Sequence, residues 1–176
     1  GDGINHAEMF PLLREDEPNP MDFYQIWINL PAARKRVSPY FSMFWNEKVP
    51  KIDVRDEGGK RTEITVVAGK LGTAVPLSPP PDSWASQPDT EVAVWTLRME
   101  AGATWDMPAA SPGLNRTLYT VRGNGVELSG VSCSNHRLVQ LRSDVPVTLR
   151  NGNEPGEYLL LQGKPIGEPI ARRGPF

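Results

Sequence analysis

RTLYTVRGNGVELSG, residues 116–130, shows the pattern on which the whole chain is built. Two runs, 116–123 and 126–130, carry apolar or β-branched residues at alternate positions, so each presents one face to a core. Between them stands Asn124-Gly125, which predicts a two-residue hairpin, because a type I′ turn needs positive φ at both central positions. Working outward, similar runs recur at near-regular spacing: VAVWTLRME at 92–100, AGATWDMP at 101–108, HRLVQL at 136–141, VPVTLRNG at 145–152 and EYLLLQG at 157–163. Gly, Asn or Pro separates them. Short strands so punctuated predict an all-β, jelly-roll-type barrel over residues 84–163.

Upstream of it, Leu77-Ser78-Pro79-Pro80-Pro81-Asp82-Ser83 breaks the composition, and three consecutive prolines predict a stiff extended connector. Before the connector the chain again reads as strands: Gly1 to Glu8, FYQIWINL at 23–30, YFSMFW at 40–45 and EITVVAG at 63–69, with a turn at DEGGK, 56–60. Pro31 to Arg36 has room for one helical turn. Trp27, Phe41, Phe44 and Trp45 are expected in a core or along the wall of an apolar pocket. The expected organisation is therefore residues 1–76 as part of a first barrel, 77–83 as connector, and 84–176 as a second barrel.

The 176 residues hold 16 glycines and 18 prolines, a usage suited to strands and turns rather than to long helices. Nineteen basic and 21 acidic residues are mixed along the chain for a formal charge of -2, which leaves no electrostatic footprint for direct nucleic acid binding. Arg34-Lys35-Arg36 and Arg172-Arg173 are short solvated clusters. The longest apolar stretches fall far short of the ~20 residues that cross a bilayer, so no membrane association is expected. Cys133 is the single cysteine, which fits a reducing compartment and a cytoplasmic, or in a eukaryote nuclear, location.

Near the start, His6-Ala7-Glu8 places an imidazole and a carboxylate two residues apart. On a strand such residues share a face, and together they are either a chelating pair for a first-row metal or a half-buried histidine beside its hydrogen-bonded neighbour. Two ligands rarely hold an ion against water, so a metal would need at least one more from elsewhere. The other histidine, His136, has no histidine or carboxylate within two residues.

Taken together, GINHAEMFPLL, FYQIWINLPA, YFSMFW, PPPDSWA, VAVWTLRMEAGA, NRTLYTVRG and LLLQGKPIGEPI resemble the pirin family of bicupins, in order from Gly3 to Phe176. The resemblance implies two cupin barrels, the first of which holds a mononuclear iron through three histidines and a glutamate. His6 and Glu8 match the third histidine and the glutamate. The His-x-His that supplies the other two has no counterpart here, which implies a first barrel lacking its first half; the helical tail after Gly-Pro-Phe has no counterpart either. In the second barrel the resemblance puts Ala109, Ser111 and Asn115 at the ligand positions, implying a metal-free, structural domain. The activity implied for an intact member is quercetin 2,3-dioxygenase, acting on a flavonol-like small molecule, with Glu8 both a ligand and the base that takes the substrate proton. The rival role is a redox-sensitive regulator that docks a transcription factor or metabolic enzyme. Lacking a full ligand set, these 176 residues are expected to be catalytically silent alone.

Overall fold

A computed structural model describes residues 2–171 of the chain, so Arg172-Arg173 and the Gly-Pro-Phe sequence lie outside the described residues. Among the described residues ten strands form: β1 (Lys51–Arg55), β2 (Arg61–Ala68), β3 (Ala93–Met99), β4 (Thr104–Met107), β5 (Asn115–Arg122), β6 (Val126–Leu128), β7 (Val131–Cys133), β8 (Leu138–Gln140), β9 (Val147–Asn151) and β10 (Gly156–Gly163). All pairings between them are antiparallel. Six strands make one sheet in the order β1-β2-β3-β10-β5-β8, and four make a second in the order β4-β9-β6-β7. The all-β, jelly-roll-type expectation is met.

Alternation explains the packing. Ile64 and Val66 of β2, Trp95, Leu97 and Met99 of β3, Leu118 of β5, and Tyr158 and Leu160 of β10 turn one face of the large sheet inward. From the small sheet Trp105, Met107, Val126, Leu128, Val147 and Leu149 meet them. Each fully buried aliphatic side chain contributes about 1.5–3 kcal/mol through apolar area removed from water. One polar cluster sits within this core: Tyr158 Oη donates to Asn151 Oδ1 at 2.6 Å, while Asn151 Nδ2 donates to the carbonyls of Glu100 and Glu154 at 2.8 and 2.9 Å. Both residues are buried, so these bonds replace water they have lost.

The expected hairpin at Asn124-Gly125 does not form. Strands β5 and β6 belong to different sheets, and positive φ occurs at Gly123 and Gly125 but not at Asn124, so the segment is the corner where the chain changes sheets. The tight two-residue hairpin lies instead between β6 and β7, where Leu128 faces Val131 and both Ser129 (φ 47°) and Gly130 (φ 89°) are left-handed. At 56–60 the expected turn is present: Asp56 and Lys60 close it, and β1 and β2 pair across it.

Strand β2 runs antiparallel along β3 from Thr62, opposite Met99, to Ala68, opposite Val94. One sheet therefore takes strands from both sides of the 77–83 segment. That segment is not wholly extended, for Ser83 N–H donates to Pro80 O at 2.9 Å and a 3₁₀ turn follows at Trp84–Ser86.

Residues 2–50 depart from expectation. No strand forms at 2–8, 23–30 or 40–45; the only regular element there is a 3₁₀ turn at Ala32–Arg34, inside the segment expected to make one helical turn. Alternating apolar residues favour a strand only when a neighbour supplies the ladder hydrogen bonds, and none does so here. Instead the segment lies against the barrel, tied by Asp22 to Arg122 at 2.6 Å, by Arg34 to Asp82 at 3.5 Å, and by Ala32 N–H to Glu168 Oε2 at 2.6 Å. Phe23 and Phe10 meet edge to face. Among the described residues no helix is long and apolar enough to cross a membrane.

Candidate functional site

His6 and Glu8 come together. His6 Nδ1 lies 3.0 Å from Glu8 Oε1, with both side chains roughly half exposed. No strand carries them, yet the local chain path brings the two side chains, two residues apart, to the same place. Two donors each about 2.1 Å from one ion and at right angles are separated by about 3.0 Å, so the pair has the bite of adjacent metal ligands. The same distance also suits a hydrogen bond from the imidazole to the carboxylate, the arrangement that orients a ligating histidine. A nitrogen and an anionic oxygen fit iron or another first-row divalent ion, yet two donors alone do not complete a coordination sphere. Among the described residues no group of three or more His, Cys, Asp and Glu side chains is placed to hold a metal.

The aromatic side chains expected as core or pocket wall are not core. Trp27, Phe41 and Trp45 are exposed, Trp27 at 70%, while Phe44 is half-buried. Their segments form no strand, and so no second sheet layer closes over them. His136 adopts φ 55° in the turn before β8, with its ring beside Asn135, and Cys133 is half-buried in β7.

At the mouth of the barrel, a cavity of about 580 Å³ lies between the ends of β2, β3, β5 and β10 and the loop 76–92. Its wall includes Trp95, Arg116 and Gln162, none of which drew attention from the sequence. The available signal was Arg116 itself: in RTLYTVRG it occupies the same face as Leu118 and Thr120, and all three are buried. Ala109 also lines this cavity. Tyr24 lies where the N-terminal segment meets the sheet, and burial, reinforced by Asp22, pushes its phenol up from the ordinary value.

Comparison with known proteins gives a consistent picture. Residues 94–176 match the family model described as the pirin C-terminal cupin domain. A Pseudomonas aeruginosa protein provisionally named a quercetin 2,3-dioxygenase is 31% identical over 180 residues, which cover 99% of this chain and 57% of that protein. A pirin-like protein from Caulobacter vibrioides is 28% identical over 183 residues, covering all of this chain and 58% of the relative. Among solved structures, a quercetin 2,3-dioxygenase from Acinetobacter baumannii superposes with a TM-score of 0.68 at 22% identity, over 85% of this chain and 48% of that one. That likeness establishes the cupin fold. The chain spans a little over half the length of the curated relatives it matches.

Proposed function

Because the chain belongs to the pirin family, we propose that His6 and Glu8 are two of the ligands of a mononuclear iron centre in a flavonol (quercetin) 2,3-dioxygenase. The observation that carries this reading is the 3.0 Å approach of His6 Nδ1 to Glu8 Oε1, at the spacing of adjacent ligands. Such a centre needs further donors, and among the described residues no third candidate stands beside the pair. Iron bound there would supply Lewis acidity toward a flavonol hydroxyl and a binding position for dioxygen. His6 contributes a neutral nitrogen donor. Glu8 would contribute an anionic oxygen to the iron, and its carboxylate would be the base that takes the proton of the substrate hydroxyl.

The test is metal content by mass spectrometry together with oxygen uptake on quercetin, in a protein of the relatives' length and in the 176-residue chain. The longer protein is expected to hold iron and consume oxygen; the short chain is expected to do neither. His6→Ala should abolish iron retention in the longer protein. Unchanged metal content in that variant refutes the ligand assignment, and iron without oxygen consumption on any flavonol refutes the dioxygenase reading.

A second reading, regulation by docking a transcription factor or metabolic enzyme, draws support from the exposed Met9, Phe10, Leu12, Leu13 and Trp27. It predicts protein capture that depends on the oxidation state of the iron, with no turnover of quercetin. The single cysteine supports a cytoplasmic or nuclear site of action for either reading.

A further inference from the structure

The cavity at the barrel mouth has a feature that structural packing does not account for. Arg116 is 2% exposed, yet no carboxylate pairs with it among the described residues. Its one hydrogen bond, from a terminal nitrogen to Ser143 O, is 3.5 Å long, and its Nε has no partner. Burying an unpaired guanidinium is costly, and burial pushes its pKa below the ordinary arginine value. Elsewhere the chain treats arginine differently: Arg61 is held by both Asp53 and Glu63 at 2.7 and 2.6 Å.

Two more orphan groups share the same wall. Trp95 is 3% exposed and its Nε1–H donates to nothing. Gln162, paired opposite Arg116 in the β5–β10 ladder, spends its amide N–H on Glu91 O and leaves Oε1 without a donor. Three unmet polar groups on neighbouring strands around one cavity form a set: two donors, one of them cationic, and one acceptor. Glu91, also on the wall, is engaged by Ser111 N–H at 3.3 Å rather than by Arg116. The rest of the surface is largely apolar, from Leu77, Pro79, Pro88, Val92 and Ala109.

We propose that the barrel mouth binds a small organic hydroxy acid with an apolar, aryl-sized body. Arg116 and the Trp95 indole receive the carboxylate, Gln162 Oε1 accepts from the hydroxyl, and the proline-rich loop packs on the apolar portion. A cavity of about 580 Å³ is within the range of small-molecule sites. Arginine suits the task because its planar fork matches a carboxylate while remaining charged. This site is separate from His6 and Glu8, and its fate does not bear on the iron reading.

The test uses the 176-residue chain labelled with ¹⁵N, titrated with mandelate and 3-phenyllactate and with the uncharged amide of each. The Trp95 indole signal is assigned by its loss in Trp95→Phe. Saturable movement of that signal by at least one acid is expected, with the matching amide at least about tenfold weaker, as befits loss of one charge-assisted bond. Arg116→Met keeps the side chain's length without its charge and should weaken the acid by a similar factor while the thermal melt shows a folded protein. No saturable shift with either acid overturns the proposal, as does equal binding of acid and amide or undiminished binding by a folded Arg116→Met. If that variant does not fold, the acid-against-amide comparison decides alone.

Discussion

Removing the Tyr158 hydroxyl, by Tyr158→Phe, tests how the polar cluster inside the barrel is held. In the native protein the phenol donates to Asn151 Oδ1 at 2.6 Å, and burial, with a smaller contribution from Cys133, raises its pKa from 10.0 to about 12. Folding thus favours the neutral phenol. A group whose pKa is raised on folding gives stability that is complete below its unfolded value and lost as pH climbs to the folded one, here between pH 10 and about 12. Two units correspond to about 2.7 kcal/mol at most. At neutral pH the phenylalanine variant leaves Asn151 Oδ1 without a donor, at a cost of about 1–3 kcal/mol. With a urea dependence of about 2 kcal/mol per molar, its unfolding midpoint falls by about 0.5–1.5 M. Urea unfolding of both proteins at intervals from pH 7 to 12 is the assay. The gap between them should be widest at neutral pH and close at the alkaline end, where the native protein alone carries the cost of ionising Tyr158. Every other ionisable group is common to both proteins and cancels from the difference. Curves that stay parallel from pH 7 to 12 refute the reasoning.

Gly69 adopts φ 81°, and a Cβ there would sit 2.6 Å from Val92 O and from Ala93 Cβ, so Gly69→Ala should cost more than about 2 kcal/mol in thermal or urea unfolding. Gly72, at φ 55° with open space around it, serves as the control, and Gly72→Ala should cost about 1 kcal/mol. Asp56 accepts from Thr104 N–H and Lys60 N–H, both at 2.9 Å, and these bonds hold its carboxyl below the ordinary 3.8. The stabilisation is complete above that value and lost as pH falls through the lowered one. Amide exchange at Thr104 and Lys60 should therefore rise on acidification beyond its intrinsic pH dependence, and Asp56→Asn should remove that excess.

Strands β2, β3, β5, β9 and β10 were legible because each satisfies two demands at once, an inward apolar row and a hydrogen-bonded neighbour on the ladder. FYQIWINL at 23–30 shows what alternation alone cannot convey, since its pattern is as clear as that of β3 but no strand lies beside it. Short strands were hidden for another reason. Val131–Cys133 is only three residues and leaves Val131 exposed, and its place is fixed by the Ser129-Gly130 turn rather than by its own composition. Asn124-Gly125 was misread because left-handed backbone serves a change of sheet as well as a hairpin. At the candidate site, local spacing was enough to bring His6 and Glu8 together. Arg116 went unnoticed because a charged residue at a strand end ordinarily reaches water, and only tertiary packing shows that this one does not.

The pairing of β2 with β3 also sets where the protein can be cut. A recombinant piece beginning after the prolines would retain every strand from β3 onward, with β10 still paired to β3, but would strip β2 from its other side, uncovering a seven-residue edge that includes Trp95 and Leu97. Such an edge invites pairing with another molecule, and aggregation rather than a compact barrel is the foreseeable product. Expression boundaries drawn before Lys51 keep the β1–β2 ribbon as the cover for that edge.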